Sequence, residues 1–150
     1  MTGFALTTPD LPATLLDGLT ARVYRRAGVD EVQFHWWQEP TLLPVRWDGA
    51  LRLHRWGSKD GRSRLPLGGW LSAEGVGALT GTRREEAVIP ANLGQINGRW
   101  LLIDVGVTGV VLPDVRGGPV VYVLVQPASN YYRNLSGQEP MMPAFVGQVV

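Results

Sequence analysis

The sequence contains no cysteine and only two histidines, His35 and His54. Without cysteine the chain can form no disulfide bond, no thiolate metal site and no thiol nucleophile. Neither histidine has a carboxylate at the spacing that zinc ligands use, so a zinc site is not expected. We therefore predict that the protein holds neither a metal ion nor another cofactor.

Several signatures of targeting and catalysis are also missing. No apolar run reaches the length of a transmembrane helix, and the opening residues MTGFALTTPD lack the charged and apolar segments of a signal peptide. We therefore expect a cytoplasmic protein with no membrane partner. The chain has no Gly-rich phosphate loop, no nucleophile elbow and no HExxH motif, so the sequence does not favour an enzyme.

What is present is the composition of one globular domain. The chain has 150 residues, of which 45% are hydrophobic and 18% charged. Its 19 glycines and 11 prolines are spread along the chain, which favours many short strands joined by turns. We predict a single compact α+β domain over residues 1–150, mainly antiparallel β and barrel-like or sandwich-like, with one N-terminal helix and a short second helix.

Hydrophobic spacing and turn residues place these elements. Leucines at helical spacing predict the first helix over residues 12–26, and the second is expected around residues 74–79. Asp48-Gly49 and Asn97-Gly98 are strong signals for two-residue hairpin turns. The β-like segments are 32–37, 42–47, 50–56 and 119–126, and the last is rich enough in β-branched residues for a central strand.

The stretch LRLHRWGSKDGRSRLPLGGW, residues 51–70, is strongly basic. It holds five of the fourteen cations against one acid. Arginine suits phosphate groups and tryptophan can stack on unstacked bases, so the stretch predicts contact with single-stranded DNA. The alternative is a solvated, charged edge strand with both tryptophans in the core. The candidate contacts are Arg52, His54, Arg55, Trp56, Arg62, Arg64 and Trp70.

Two smaller groups of residues are candidates for binding. Asn92 and Gln95 lie close to the hairpin residue Asn97, and they form either a polar ligand site or part of the turn structure. The adjacent Tyr131 and Tyr132 either stack on bases and grip a partner, or lie in a loop with one of them buried. The sequence leaves both alternatives open.

Several short motifs follow one another along most of the chain: Met1-Thr2-Gly3-Phe4, Pro40-Thr41, Pro44-Val45, Arg55-Trp56-Gly57, Ile89-Pro90-Ala91, Ala128-Ser129-Asn130 and Met141-Met142-Pro143. This order resembles that of the SRAP family, the abasic-site-sensing proteins once named SOS-response-associated peptidases. The resemblance implies that the surface around the Arg-Trp-Gly motif meets single-stranded DNA. It also implies a polar pocket formed by Asn92, Gln95, Asn130 and Glu139.

The chain departs from the family in its chemical groups. Family members trap the abasic aldehyde with a cysteine exposed by removal of the first methionine, but position 2 here is Thr2, and a hydroxyl is a poorer nucleophile. A Schiff base at the Thr2 amine is conceivable, which makes Thr2 the one catalytic candidate. Glu139 stands at the spacing of a family histidine.

These observations lead to two hypotheses. The first is a degenerate SRAP-like domain that binds single-stranded or damaged DNA, as part of a DNA damage response, without the cysteine crosslink. The second is a non-enzymatic interaction or structural protein of a mobile element or phage, which uses the fold as a scaffold for a protein partner or for self-association. Salt-sensitive retention on DNA favours the first, and salt-tolerant association favours the second.

Overall fold

The computed structural model describes residues 1–79 and 81–147, and their strands form two sheets. The strands are β1 (Gly3–Thr7), β2 (Val23–Arg26), β3 (Val29–His35), β4 (Leu42–Trp47), β5 (Ala50–Trp56), β6 (Trp70–Ser72), β7 (Glu85–Pro90), β8 (Leu93–Ile96), β9 (Arg99–Leu102), β10 (Gly106–Leu112), β11 (Val120–Pro127) and β12 (Met141–Pro143). The α-helices are α1 (Ala13–Leu16), α2 (Ala73–Gly77) and α3 (Asn130–Ser136). The predicted class, a compact α+β domain that is mainly antiparallel β, is confirmed.

The first sheet has five antiparallel strands in the order β2-β3-β1-β8-β9. Its central strand is β1, in which Gly3 lies opposite His35 on one side and opposite Gln95 on the other. A Cβ on Gly3 would lie 2.7 Å from Nδ1 of His35, so glycine allows the histidine to pack directly against the backbone. This register brings residues 35 and 95 to the start of the chain.

The second sheet curls into a closed ring. Its strands follow the order β10-β7-β4-β5-β11, and β11 pairs back with β10. The described pairings are antiparallel, except that β11 runs parallel to β5 and β6. The prediction of a central strand over residues 119–126 is confirmed, since β11 pairs with four other strands.

The core lies inside the ring and between the ring and the first sheet. Phe4, Val32 and Phe34 of the first sheet are fully buried against Leu43, Val45, Ile89, Val107, Val111 and Val121 of the ring. Each such side chain contributes roughly 1.5–3 kcal/mol of transfer free energy. A second, smaller cluster outside the ring lies under α2, and a third joins β8 to α3 through Ile96, Tyr132 and Met142.

Both predicted hairpin turns are confirmed. Asp48 and Gly49 have φ values of 53° and 75°, and Asn97 and Gly98 have 49° and 77°. Positive φ at both central residues is the requirement of the turn that matches the twist of the flanking strands. The turns connect β4 to β5 and β8 to β9.

The first predicted helix is much shorter than expected. Residues 12–26 contain the single turn α1, a 3-10 turn over Thr20–Arg22 and the strand β2. Gly18 weakens a helix at this point, and the valine and tyrosine of β2 favour pairing with β3. Leu19 of this segment still reaches the core, where it is fully buried.

Helix α3 lies in a segment that the sequence analysis left as tail or loop. Its N-cap is Ser129, whose Oγ accepts a hydrogen bond from the Tyr132 amide over 3.1 Å. The helix ends at Gly137, which has a φ of 74°. These are standard start and stop signals, and they were present in the sequence. No helix in the described part of the chain is long and apolar enough to span a membrane.

Candidate functional site

The basic stretch of residues 51–70 does not form a single open surface. Trp56 is 1% exposed and packs in the core, where its Nε1 donates a hydrogen bond of 2.9 Å to the carbonyl of Gly69. The expectation that Trp56 offers a face to a base is therefore corrected: a ring this deep in the core cannot stack on an external base. The alternative interpretation, a tryptophan in the core, holds at this position.

Trp70 also has a packing role. It is half-buried, with its ring centroid 5.1 Å from that of Trp36 and 5.3 Å from that of Trp56. Its Nε1 donates to the carbonyl of Met1 over 3.1 Å. This hydrogen bond therefore connects the start of the chain to β6 of the second sheet.

The cations of the stretch are divided among several environments. Arg55 donates hydrogen bonds to the carbonyls of Arg116 at 3.2 Å and Gly118 at 2.8 Å, so it anchors the turn between β10 and β11. Arg62 and Arg64 are exposed on residues 57–69, which we call the arginine loop. Beside this loop a groove of about 640 Å³ is lined by Arg55, Arg64 and Arg116 but also by the carboxylates of Asp60 and Asp114.

Arg52 and His54 line a separate cavity of about 170 Å³ together with Trp47. Burial lowers the pKa of His54 below 6.5, and the charge of Arg52 lowers it further. The imidazole is therefore neutral at pH 7 and adds no positive charge to the stretch.

The predicted DNA-binding residues thus lie in four places. Trp56 is in the core with Trp70 packed against it, and Arg55 and Arg64 line the groove. Arg62 is exposed on the arginine loop, and Arg52 and His54 line this small cavity.

The start of the chain brings other predicted residues together. The amide of Thr2 donates to the carbonyl of Gln95 over 3.1 Å, and its own carbonyl accepts from the amide of Trp36 over 3.0 Å. The side chain of Thr2 is exposed. Glu139 lies close enough to the Met1 amine to raise its pKa, against the stronger effect of burial, which lowers it. Thr2 and Gln95 are therefore hydrogen-bonded neighbours, and Glu139 acts on the amine of the preceding Met1.

The other two residues of the predicted polar pocket have different positions. The Oδ1 of Asn92 accepts a hydrogen bond of 2.7 Å from the amide of Thr7, at the far end of β1. Asn130 is exposed in the first turn of α3. Asn92 thus stabilises β1 of the first sheet through this hydrogen bond.

A row of aromatic rings lies beside the chain start, and we call it the aromatic arc: Trp37, His35, Trp100 and Tyr131. Trp37 stacks on His35 with ring centroids 5.0 Å apart and planes 18° apart. Trp100 also contacts His35, in an edge-on arrangement with ring centroids 5.7 Å apart. Tyr131 and Trp100 line the same cavity of about 420 Å³. Ring contacts therefore connect Trp37, His35 and Trp100, and Tyr131 faces the same cavity as Trp100.

The outer faces of the arc are open to solvent. Trp37 is 68% exposed and Tyr131 is 75% exposed. The guanidinium of Arg26 lies 5.1 Å over the ring of Trp100 and also pairs with Glu31 at 2.6 Å. Burial lowers the pKa of His35 below 6.5, an effect that the nearby Gln95 side chain opposes, so the ring at the centre of the arc is neutral at pH 7.

Of the arc, the sequence analysis singled out only Tyr131 as a binding candidate. Trp36 and Trp37 are adjacent at the end of a strand, so one of them had to face the core and the other the solvent. That pattern was the available signal for Trp37. Trp100 becomes a candidate only through the pairing of β8 with β1.

Comparison with known proteins adds no assignment: no protein-family model, no curated protein and no solved structure matches this chain. The resemblance to the SRAP family stays a prediction.

Proposed function

We propose that the protein binds single-stranded nucleic acid, including strands with a damaged site, through the aromatic arc. Unstacked bases would lie on Trp37 and Trp100, and neighbouring arginines would meet the phosphates. The partner is the one predicted from the sequence, but the contact surface is different. The observation that carries the proposal is the pair of strongly exposed aromatic rings, Trp37 and Tyr131, at the two ends of the aromatic arc.

Exposed aromatic rings in a row are the usual means of holding single strands. Each stacked base contributes about 1–3 kcal/mol, and every base has a flat face, so such binding tolerates different sequences. His35 stacks on Trp37, and most of the Trp37 side chain stays open to solvent. The arc therefore offers stacking faces that Trp56 and Trp70 do not.

One arginine contacts a ring of the arc, and two more are exposed on the elements that carry the rings. Arg26 contacts Trp100, and Arg99 precedes Trp100 on β9 and is exposed. Arg133 is exposed on α3, the helix that carries Tyr131. Exposed cations on the elements that carry stacking rings suit a strand with both phosphates and bases. Binding should therefore weaken as salt increases.

The test is fluorescence anisotropy with a labelled single-stranded oligonucleotide, with and without an abasic site, over a salt series. Trp37→Ala should weaken binding roughly tenfold, the loss of about one stacked base. Tyr24→Ala is the matched control, since Tyr24 is an exposed aromatic residue on β2 outside the arc. Equal affinities of the two variants would refute the arc as the binding surface.

The same samples, run on a denaturing gel, test the chemistry of Thr2. Without a thiol we expect no stable covalent band on abasic DNA, because the Thr2 hydroxyl is a weak nucleophile. A band that survives denaturation would show a covalent adduct. It would assign Thr2 a catalytic role if intact mass also showed that Met1 is removed.

A second candidate function is a protein-binding scaffold. Leu102 is 86% exposed on the edge strand β9 and lines the same cavity as the exposed Tyr131, and a contiguous exposed apolar patch is typical of interaction surfaces. This function predicts association that persists at high salt and is lost in Leu102→Asp. Sedimentation at low and high salt distinguishes it from nucleic-acid binding.

A further inference from the structure

We infer that the outer edge of β9 pairs with β9 of a second copy of the chain, so that the first sheets of two copies join into one continuous antiparallel sheet. Strand β9 lies at one end of the first sheet, where its described partner is β8. This pairing goes beyond the proposed binding of nucleic acid and does not depend on it. It gives the scaffold function a specific partner.

The backbone of β9 has hydrogen-bonding groups that face away from the sheet. The turn Asn97-Gly98 is closed by the pair Ile96 and Arg99. In a hairpin with a two-residue turn this closing pair is hydrogen-bonded, and hydrogen-bonded pairs then alternate with non-hydrogen-bonded ones along the strands. Trp100 and Leu102 therefore direct their amides and carbonyls away from β8.

Two observations support this assignment. Gln95, the residue opposite Trp100, uses its carbonyl to accept from the amide of Thr2, so its backbone faces β1 and not β9. Outside the hairpin, no described residue makes a hydrogen bond to the backbone of Trp100 or Leu102. The edge of β9 thus offers donors and acceptors to another strand.

The two ends of the first sheet differ in their protection. At the β2 end, Arg25 faces outward by the same alternation from the closing pair Arg26 and Val29, and adjacent cations on an edge strand oppose pairing with another strand. Strand β9 carries one cation, Arg99, at its first residue, and its last residue, Leu102, is 86% exposed. The β9 edge is therefore the one suited to a partner strand.

The sequence of β9 is complementary to itself in one antiparallel register. With Trp100 opposite Leu102 of the second copy, both outward-facing residues find partners within β9, and each such pair exchanges both of its N–H···O bonds. The indole and the leucine side chain then lie on the same face, where directly opposite apolar side chains stabilise the pairing. Leu101 lies opposite Leu101 of the second copy on the other face.

The charges at the ends of this segment also match. Arg99 begins β9 and Asp104 follows its end; both are exposed, and neither forms an ion pair among the described residues. In the same register Arg99 lies opposite Ile103 of the second copy, one residue from its Asp104. Two-fold symmetry produces this contact twice. The charges therefore favour a second copy in the antiparallel direction.

Pairing of this kind has a geometric consequence for the aromatic arc. Two identical antiparallel edges are related by a two-fold axis perpendicular to the joined sheet. Trp100 of both copies then lies on the same face. The two aromatic arcs would therefore form one surface.

The test is sedimentation velocity of the whole chain over a wide range of concentration. The mass should rise from the 16.4 kDa of one chain to twice that value. Leu102→Pro removes an amide that has no partner within the chain, so this variant should fold and stay monomeric. Leu102→Val keeps the amide and should still dimerise. Arg25→Pro, at an outward-facing position of β2, is the matched control and should also dimerise.

Charge reversal tests the direction of the pairing. At low ionic strength, Arg99→Asp and Asp104→Arg should each raise the Kd of the dimer at least about tenfold, because like charges then meet at both ends. The double variant should restore the original Kd. Such a rescue is expected only if residue 99 of one copy lies close to residue 104 of the other.

A chain that stays monomeric at every concentration would overturn the inference and leave the edge to a strand of a different protein. A dimer that persists in Leu102→Pro, or that the double variant does not restore, would also overturn it, since another surface would then hold the copies together. Dimerisation without binding of single-stranded DNA would leave the pairing standing and remove the proposed function. DNA binding by a chain that stays monomeric would do the reverse.

Discussion

The arginine loop and the aromatic arc are built from similar residues, tryptophans next to arginines, but the fold uses them differently. At the loop, the flanking Trp56 and Trp70 pack inward. Trp56 donates a hydrogen bond to Gly69 of the loop, and Trp70 donates one to Met1 at the chain start. In the arc, most of the Trp37 side chain is exposed to solvent, and its ring stacks on that of His35. Exposure of an aromatic face depends on which sheet its strand joins. The number of neighbouring cations in the sequence does not determine it.

The largest expected difference between the two regions concerns stability. Trp56→Ala should lower the free energy of unfolding by about 3–5 kcal/mol, since it removes a fully buried indole and leaves a cavity. Trp37→Ala should cost less than about 1 kcal/mol, because exposed substitutions usually change stability little. Chemical denaturation with urea measures both. Similar losses would contradict the division into packed and open tryptophans.

The arginine loop should also be sensitive at Gly57. This residue has a φ of 62°, and a Cβ there would overlap the backbone of Gly68. Gly57→Ala should therefore destabilise the protein by about 1–3 kcal/mol. Gly61→Ala is the control in the same loop, because a Cβ at Gly61 meets no atom within 4 Å. Equal melting temperatures of the two variants would show that the close approach of Gly57 and Gly68 is not maintained in solution.

The chain has two histidines, His35 in the aromatic arc and His54 on β5, and burial lowers the pKa of both below 6.5. The unfolded chain therefore takes up protons at higher pH than the folded chain does. The free energy of unfolding should be at its full value above pH 6.5 and fall as the pH drops towards the lower pKa values of the folded state. Thermal unfolding between pH 7.5 and 5 checks the sign. His35→Gln and His54→Gln should each remove part of this dependence, and a stability that rises on acidification would contradict the burial of both rings.

The smallest expected effect is on the salt dependence of nucleic-acid binding, and it distinguishes the arginines of the two regions. For a single strand, each phosphate contact contributes about 0.7 to the slope of the logarithm of the binding constant against the logarithm of salt concentration. Arg99→Gln, on the same strand as Trp100, should reduce the slope by about that amount. Arg62→Gln, on the arginine loop, should leave it unchanged. A reduced slope in Arg62→Gln and an unchanged slope in Arg99→Gln would instead place the phosphate contacts on the basic stretch.

The sequence was sufficient for those features that depend on local chemistry. The two hairpin turns followed from Asp48-Gly49 and Asn97-Gly98, because few residues adopt positive φ. The short helix α2, at Ala73–Gly77, was also expected near its position. Helix α1 was overestimated, since pairing of β2 with β3 competes with a helix over the same residues and is not visible in hydrophobic spacing.

The candidate site was harder to predict, since it depends on pairings between distant segments. Gln95 reaches the chain start only because β8 pairs with β1, and Trp100 follows it through the β8–β9 hairpin. The exposure of Trp37 and the burial of Trp56 depend on the closure of the ring. A basic stretch is visible in one segment of sequence, whereas the aromatic arc is assembled from three.

The parallel pairing of β11 with β5 has a consequence for how the chain folds. Val120 lies opposite Arg55, although many residues separate them in sequence, and this contact belongs to the closed ring. Contacts between distant segments require a large loss of chain entropy before they form, and proteins dominated by such contacts fold in milliseconds to seconds. We expect the β4–β5 and β8–β9 hairpins to form early and the ring to close late. During synthesis, the ring of strands therefore cannot close before β11 has been made. The surfaces of β4 and β5 that later become part of the core stay exposed until then.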